Sequence, residues 1–345
     1  MSKSLYNHLL DPNTTFYTAI TGRRPKKGAY GFEVEVEGAN LPNDVPGWVG
    51  HNDGSLRGES LEYVFASPFT YERGLEAINA LEKAFEDNKT VLNFSYRTSI
   101  HQHINVSNLS LVHVANFITT YYILEDLLFD FAGRERAGNL FCLRAKDAQA
   151  VIWTLIRAIQ SGNPGPLLMN DQIRYGALNL KALTEHGSLE IRSFRGTEDF
   201  NAIRQWYRIL HELRQSVENF KDPQDVIFSM SSLEDKGFLN TIFSREIAEL
   251  VSGLPNVHER LLEGARLIQD FAFGIPDWTY DAKQTSAPLN ETEPAALGDV
   301  FREMVRAREA AGRPVPRGDI QLRNRVAPGW VVADDPAHLE ENEDF

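Results

Sequence analysis

Apolar and polar residues alternate strictly over residues 30–37, near the start of the chain. Successive side chains of a β-strand point to opposite sides, so this alternation predicts a strand with one buried face and one polar face. The polar positions are three glutamates, Glu33, Glu35 and Glu37. The apolar positions are Phe32, Val34 and Val36. A loop rich in Gly, Pro and Asn follows.

Three more segments are predicted to be strands. Residues 61–67 are mostly apolar and stop before Pro68, which cannot donate a hydrogen bond to a sheet. Residues 187–194 place Glu190 and Arg192 on one face, with Arg195 close behind. Residues 98–106 alternate, and their polar face consists of Ser99, His101, His103 and Asn105.

Apolar residues recur at helical spacing in the segments between and after these strands. Thr197 is expected to cap the helix that begins near residue 198. The last residues of the chain are acidic and predict a solvated tail. The predicted helices cover residues 72–87, 109–131, 148–160 and 198–220, with weaker signals over 257–272 and 294–311.

Composition narrows the class of protein. The 345 residues are 42% hydrophobic and 24% charged, which is ordinary for a globular protein with a sizeable core. The single cysteine, Cys142, excludes an intrachain disulfide and a metal site built on several thiolates. A net charge of −13 disfavours nonspecific binding to nucleic acid or to anionic membranes. We find no signal peptide and no transmembrane stretch, and therefore expect a cytoplasmic protein.

The acidic strand raises an electrostatic question. Its glutamates lie on the order of 7 Å apart along one face, so they repel one another unless a partner intervenes. Solvent, arginines or divalent cations are the common partners, and clustered oxygen ligands suit magnesium or manganese. The alternative is a solvated strand face with lysine or arginine neighbours on the next strand.

The other two polar faces carry related chemistry. His101 and His103 share a face, so one could ligate a metal while the other binds a phosphate or a substrate; either could also be structural. Glu190 with Arg192 and Arg195 could serve a metal and a transferring phosphoryl group, or form a plain ion pair. If these strands pair in one sheet, they form a concave polar wall that could hold two or three divalent ions and a nucleoside triphosphate.

Six motifs occur in a fixed order along the chain. Each motif alone has low specificity, whereas the ordered set is specific. They are Gly31-Phe-Glu33-Val-Glu35, Trp48 … Asp53-Gly-Ser55-Leu, Glu62-Tyr-Val … Ser67-Pro68, Ser99-Ile-His101-Gln-His103-Ile-Asn105-Val, Arg174-Tyr175 … Leu178-Asn179-Leu180, and Gly187-Ser-Leu-Glu190-Ile-Arg192-Ser-Phe-Arg195-Gly-Thr197.

With these motifs the chain resembles the amidoligase family of bacteria and phages, over about residues 29–220. That family belongs to the carboxylate–amine ligase superfamily, with glutamine synthetase and glutamate–cysteine ligase. The resemblance implies an α+β fold, in which helices pack on the outer face of a curved, mostly antiparallel sheet and the concave face carries the active site. We predict an N-terminal lead-in (1–28), a catalytic domain (29–253), a helical extension packed on it (254–333) and an acidic tail (334–345).

The resemblance also implies an activity. It is ATP-dependent amide formation through an acyl phosphate, assisted by Mg²⁺ or Mn²⁺, with small-molecule or peptide carboxylates and amines as substrates. The implied metal ligands are Glu33, Glu35, Glu62, His103 and Glu190. The implied catalytic residues are Glu190, Arg192 and Arg195. The implied nucleotide- or substrate-binding residues are His101, Arg174, Asn179, Arg192 and Arg195.

Some points depart from the family pattern or stay open. Glu59 and Glu62 would point to opposite faces of a straight strand, so either Gly58 introduces a bulge or one of them is no ligand; we favour Glu62. Glu37 is one carboxylate more than the family pattern requires. A non-catalytic binding protein on the same scaffold and a metal-dependent phosphoesterase are the alternative functions. An oligomer is left open, and a phage-encoded protein would act in the host cytoplasm.

Overall fold

The computed structural model describes residues 11, 13–161, 171–275 and 278. Within these residues the chain forms one sheet of seven strands, and every strand pairing in it is antiparallel. The strands are β1 (Tyr30–Ala39), β2 (Trp48–His51), β3 (Ser60–Phe65), β4 (Val91–Asn93), β5 (Ser99–Asn105), β6 (Leu178–Asn179) and β7 (Ser188–Arg195).

The strand order is β2-β3-β1-β5-β7-β6, and β4 pairs with the last residues of β1. The three strands with the strongest alternation therefore lie side by side as β1, β5 and β7. Because paired residues of neighbouring strands share a face, the polar positions of all three strands lie on the same side of the sheet. This is the arrangement on which the sequence-based interpretation depends.

Helices cover the other side of the sheet. Phe32 of β1 packs edge-on against Tyr207, and Phe194 of β7 packs against Trp206, with ring centroids 5.5 and 5.1 Å apart. Large side chains as deeply buried as these each contribute roughly 1.5–3 kcal/mol to stability. The helices are α1 (Phe16–Thr21), α2 (Tyr71–Asp87), α3 (Leu111–Ala132), α4 (Gln149–Ser161), α5 (Lys181–His186), α6 (Phe200–Gln215), α7 (Pro223–Ser232), α8 (Asp235–Ile242), α9 (Arg245–Ser252) and α10 (Val257–Gly274).

The predicted α+β fold, with an antiparallel sheet and helices packed on it, is confirmed. The long predicted elements agree with the observed ones to within a few residues. One local prediction is wrong: Asp199, not Thr197, caps α6, because its carboxylate accepts hydrogen bonds from the amides of Asn201 and Ala202. That helix also ends at Gln215 and continues as a short 3₁₀ turn instead of running to residue 220.

Helix α10 lies across α3. The two backbones approach so closely that a Cβ atom at Gly264 would lie 2.5 Å from the carbonyl oxygen of Ile123. The helix predicted over 257–272 is thus confirmed, whereas the one predicted over 294–311 and the acidic tail lie outside the described residues. The predicted domain boundaries stay predictions. None of the described helices combines the length and the apolar character that crossing a bilayer requires.

Candidate functional site

The register of the central strands brings the polar side chains together. Glu33 of β1 stands opposite His101 of β5, and His103 stands opposite Glu190 of β7. On the other edge of β1, Glu35 stands opposite Glu62 of β3. Residues opposite each other have Cβ atoms about 5 Å apart, so four neighbouring strands contribute to one polar face.

A first cluster consists of Glu33, His103 and Glu190. Each of these residues offers one ligand atom, and the three atoms lie within 4.8 Å of one another. The two carboxylate oxygens of Glu33 lie 3.1 Å from His101 Nδ1 and 3.1 Å from His103 Nε2. Burial alone would raise the pKa of Glu33, but the hydrogen bonds to both histidines outweigh it and hold that pKa well below its usual range.

Glu190 is 4% exposed and is held from two sides. Asn179 Nδ2 donates to Glu190 Oε2, and Arg192 Nη1 donates to Oε1, each at 2.5 Å. Burial opposes ionisation, but the charges of Arg192 and the two histidines lower the pKa of Glu190. The Glu190 carboxylate is therefore negatively charged and held in one position on the polar face.

His103, the histidine of this first cluster, is also held by its charged neighbours. Its Nδ1 atom lies 3.0 Å from Ser188 Oγ. Burial disfavours a charged ring, but the hydrogen bond to Glu33 and the charge of Glu190 together raise the pKa of His103. The ring is thereby oriented between the two carboxylates.

A second cluster consists of Glu35, Asp53 and Glu62, with ligand atoms that also lie within 4.8 Å of one another. The loop after β2 supplies Asp53, whose two carboxylate oxygens accept hydrogen bonds from the amide and the hydroxyl of Ser55, both at 2.8 Å. Burial and the negative charges of Glu33, Glu35 and Asp53 raise the pKa of Glu62 to about 7. These carboxylates repel one another, and a bound cation would relieve the repulsion.

Ser99 joins the two clusters. Its hydroxyl donates to Glu35 Oε2, and its oxygen lies 2.9 Å from His101 Nε2. A serine hydroxyl has a single proton, so His101 must donate from Nε2 to Ser99 Oγ. The Nδ1 atom of His101 then faces Glu33 at 3.1 Å and Glu190 at 3.5 Å. His101 is only 3% exposed, and its two ring nitrogens contact Ser99 and Glu33, so it helps to orient both clusters.

A β-bulge in β7 determines where the two arginines lie. Ile191 pairs with Gln102 and Phe194 with Ile100, so two residues of β7, Arg192 and Ser193, together oppose His101. A straight strand would turn Arg195 away from the face that carries Arg192. With the extra residue, Arg195 pairs with Ser99 and joins the polar face.

Both arginines are partly accessible and have identifiable partners. Besides Glu190, Arg192 contacts the carbonyl oxygen of Phe141, with Nε 3.3 Å away. Arg195 Nε lies 3.4 Å from Glu135 Oε1, on the turn after α3. The two guanidinium groups lie at one end of the acidic polar face, where they can bind an anion together.

The remaining predicted residues separate into two groups. Asn179 lies in the first cluster through its contact with Glu190. Arg174 is exposed and donates to the hydroxyl of its neighbour Tyr175, at 2.8 Å, and its guanidinium lies 4.9 Å from that ring. The structure thus brings Asn179 to the clustered carboxylates and leaves Arg174 on an exposed turn beside an aromatic ring.

Glu37 and Glu59, whose roles the sequence did not decide, lie in different surroundings from the clustered carboxylates. Glu37 Oε1 accepts from the amide of Arg57 at 2.9 Å and from the hydroxyl of Ser95 at 3.3 Å, so this carboxylate joins two loops. Glu59 is exposed and precedes β3, which begins at Ser60. Of the pair considered from the sequence, Glu62 is the one that lies among the clustered carboxylates.

Sequence reasoning assigned no role to Asp53, Ser99 or Ser188. Asp53 lies in a loop, where no periodicity indicates the direction of a side chain; its signal is the Asp53-Gly-Ser55 motif. The hydroxyls of Ser99 and Ser188 contact His101 and His103, but serine is common on any polar strand face. Alternation could place them on the right side and could not show their contacts.

The donor sets fit divalent cations. The second cluster offers carboxylates alone, which suits Mg²⁺ or Mn²⁺, and the first offers two carboxylates and an imidazole, which Mn²⁺ also accepts. Hydrogen bonds from Ser55, Ser99 and Asn179 already orient the ligand groups, as the surroundings of a metal site require.

The comparison with protein families agrees with this geometry. The family described as "Putative amidoligase enzyme" matches residues 62–213, which include most of β3 and all of β4, β5, β6 and β7. The resemblance is thereby confirmed for the four motifs within this range, whereas the motifs that begin at Gly31 and Trp48 lie outside it. No curated protein matches the chain.

Proposed function

We propose that this protein is an ATP-dependent carboxylate–amine ligase that forms an amide or peptide-like bond. The observation that carries the proposal is the single polar face on which two potential cation sites, Glu33/His103/Glu190 and Glu35/Asp53/Glu62, lie next to Arg192 and Arg195. The family match supports ligase chemistry in general terms; ATP dependence and the metal are our inference.

Charge is the central difficulty of this reaction. A carboxylate is a poor electrophile and its oxygen is a poor leaving group. Transfer of the γ-phosphoryl group of ATP to the carboxylate gives an acyl phosphate and ADP, and attack by an amine then releases phosphate. The carboxylate and the triphosphate are both anionic and repel each other, so the site must supply fixed positive charge.

The position of each residue in the site indicates which part it would take in neutralising this charge and in holding the other groups in place. Arg192 and Arg195 neutralise the transferring phosphoryl group and the departing phosphate. Asn179 and His101 hold Glu190 and Glu33 in place. Divalent ions bound by the two clusters would supply the remaining positive charge and align the phosphates.

The substrates follow only as classes. The donor is a small-molecule or peptide carboxylate and the acceptor is an amine, and the amine must lose a proton as the bond forms. Placing ATP on an acidic wall without cations would be unfavourable, so we expect binding to depend on Mg²⁺ or Mn²⁺.

The test is product formation by the purified chain. The protein is incubated with ATP, Mg²⁺ or Mn²⁺ and pooled carboxylates and amines, and the release of ADP and phosphate is followed with the product mass. We expect release that requires a carboxylate and a new mass that requires the amine. No nucleotide binding with either metal would refute the proposal. Phosphate release from ATP or a phosphate ester that ignores both carboxylate and amine would favour a phosphoesterase.

A further inference from the structure

We propose that Arg136 is a positioning residue of this site, which holds the β7 bulge in place and so aligns Arg192 and Arg195 for an anionic phosphoryl group. The inference rests on the proposed function for its nucleotide, but its geometry is independent of any ligand. Arg136 lies in the 3₁₀ turn Arg134–Arg136 that follows α3. It belongs to none of the motifs that predicted the site.

Arg136 is a buried cation without a counter-charge. The residue as a whole is only 3% exposed. Within the described ranges its guanidinium forms no ion pair, the neighbouring Glu135 pairs with Arg195 instead, and its Nε atom has no hydrogen-bond partner. Burying a charge without a partner of opposite sign is costly. A residue that carries this cost is expected to do something that a neutral side chain cannot do.

Its two terminal nitrogens join two parts of the site. Nη1 donates to the carbonyl oxygen of Tyr96, and Nη2 donates to the carbonyl oxygen of Arg192, each at 3.1 Å. Tyr96 lies in the loop that leads into β5, and it also accepts from Asn139 at 3.0 Å. Arg192 is the first of the two bulged residues. One planar group therefore ties the start of β5 to the bulge of β7.

These hydrogen bonds from Arg136 lie at the β7 bulge, which determines where the side chains of Arg192 and Arg195 point. At a bulge the ladder of hydrogen bonds is interrupted, so the Arg192 carbonyl needs another donor. If the bulge slipped into a regular strand, Arg195 would turn to the other face and its pairing with Ser99 would be lost. A guanidinium can bridge two carbonyls because its donors are fixed in one plane, whereas the single ammonium of lysine has no such geometry.

The experiment compares Arg136→Gly with a matched control, Arg134→Gly, in the full chain. Arg134 lies in the same turn, but its guanidinium pairs with Asp126 and Asp130. Mg–ATP affinity is measured by calorimetry, with and without low millimolar guanidinium chloride; sodium chloride and urea at equal concentration serve as solution controls. Hydrogen–deuterium exchange is followed in peptides that cover residues 94–98 and 190–196.

We expect Arg136→Gly to weaken Mg–ATP binding about tenfold or more, since two hydrogen bonds from a charged donor are lost. Guanidinium, but neither urea nor sodium chloride, should restore much of the affinity by filling the cavity. Amide exchange in both peptides should speed up and then recover in the same way. Arg134→Gly should show neither the loss of affinity nor the rescue.

Wild-type affinity in Arg136→Gly, or a loss that guanidinium leaves unchanged, would overturn the inference. If that variant does not fold, Arg136→Lys takes its place: about tenfold weaker binding supports the inference, and wild-type binding overturns it. If the wild-type protein binds no nucleotide, the proposed function fails, and the exchange data alone decide on Arg136. Unchanged exchange in both peptides then rejects the positioning role, and faster exchange that guanidinium reverses supports it.

Discussion

Gly31 lies directly opposite His103 in the pairing of β1 with β5. A Cβ atom at position 31 would lie 3.1 Å from His103 Cβ, which is closer than side chains normally approach. The missing side chain therefore makes room for His103, whose imidazole contacts Glu33. Glycine inside a strand normally weakens the sheet, because it costs conformational entropy and offers no side chain to pack. Its presence at position 31 is therefore explained by the space that His103 needs.

We expect Gly31→Ala to shift His103 by a few tenths of an ångström and to weaken Mn²⁺ binding roughly tenfold, as changes around metal ligands commonly do. The measurement is calorimetric titration of the purified protein with MnCl₂. The control is Gly50→Ala on β2, where the nearest atoms to a new Cβ, those of Leu61, are 3.9 Å away. Equal Mn²⁺ affinity in the two variants would contradict the role assigned to Gly31.

Glu35 and Glu37 offer a second matched comparison. Both lie on the polar face of β1 and both are 7% exposed, but only Glu35 belongs to a potential cation site. We expect Glu35→Gln to abolish metal-dependent ATP binding while the circular dichroism spectrum stays unchanged. Glu37→Gln keeps an acceptor for Arg57 and Ser95, so its metal and nucleotide affinities should match the wild type. Parallel loss in both variants would show that the strand, and not the ligand set, is responsible.

The positions of Glu33, Glu35 and Glu190 on a common face could be predicted from the sequence, because a side-chain period of two is rigid over a long strand. The direction of Arg195 depends on a one-residue bulge, which a strictly alternating strand does not include. Its signal in the sequence is the pair of successive polar residues Arg192 and Ser193, after which the alternation resumes one position later with Phe194.

Short and irregular segments account for the other differences between prediction and structure. Strands β2, β4 and β6 contain two to four residues each, too few for a periodic pattern to emerge. Asp53 reaches its cluster through a turn that Ser55 stabilises, and such loop geometry has no periodic signature. Arg136 is an ordinary polar residue in the sequence, and only its burial and its two carbonyl partners mark it.

Glu125 is a buried carboxyl group away from the polar face, and we expect it to make stability depend on pH. Its Oε2 accepts from the amide of Ala145 at 2.8 Å. Burial raises its pKa from 4.5 to about 8, against the opposing effects of that hydrogen bond and of Arg144. Between these two values the unfolded chain is ionised at this residue while the native protein keeps the proton. Native stability therefore decreases as the pH rises through this window.

Replacement by glutamine removes this proton uptake. We expect the free energy of unfolding of Glu125→Gln, relative to wild type, to improve by up to about 1 kcal/mol for each pH unit between 5 and 8. Urea denaturation at pH 5, 6, 7 and 8 measures the difference. Glu76→Gln, at an exposed position on α2, should show a flat difference. A flat profile for Glu125→Gln as well would mean that the buried carboxyl is already ionised in the native protein.

Arg260 connects α10 to α3. Its Nε lies 2.6 Å from Asp126 Oδ2 and its Nη1 lies 2.6 Å from Asp130 Oδ2, and its side chain is only 9% exposed. Arg134 reaches the same two aspartates from a half-exposed position. The two arginines thus share their partners and differ in burial, which makes them a matched pair for measuring what burial adds to an ion pair.

We expect Arg260→Met to lower the free energy of unfolding by about 3 kcal/mol, because it leaves two partly buried carboxylates short of a cation. Arg134→Met should cost about 1 kcal/mol or less, since an exposed pair is screened by solvent. Methionine retains most of the apolar stem, so the comparison reports charge and hydrogen bonds rather than volume. Urea denaturation at neutral pH measures both variants. Losses of equal size would mean that burial adds nothing to the strength of this ion pair.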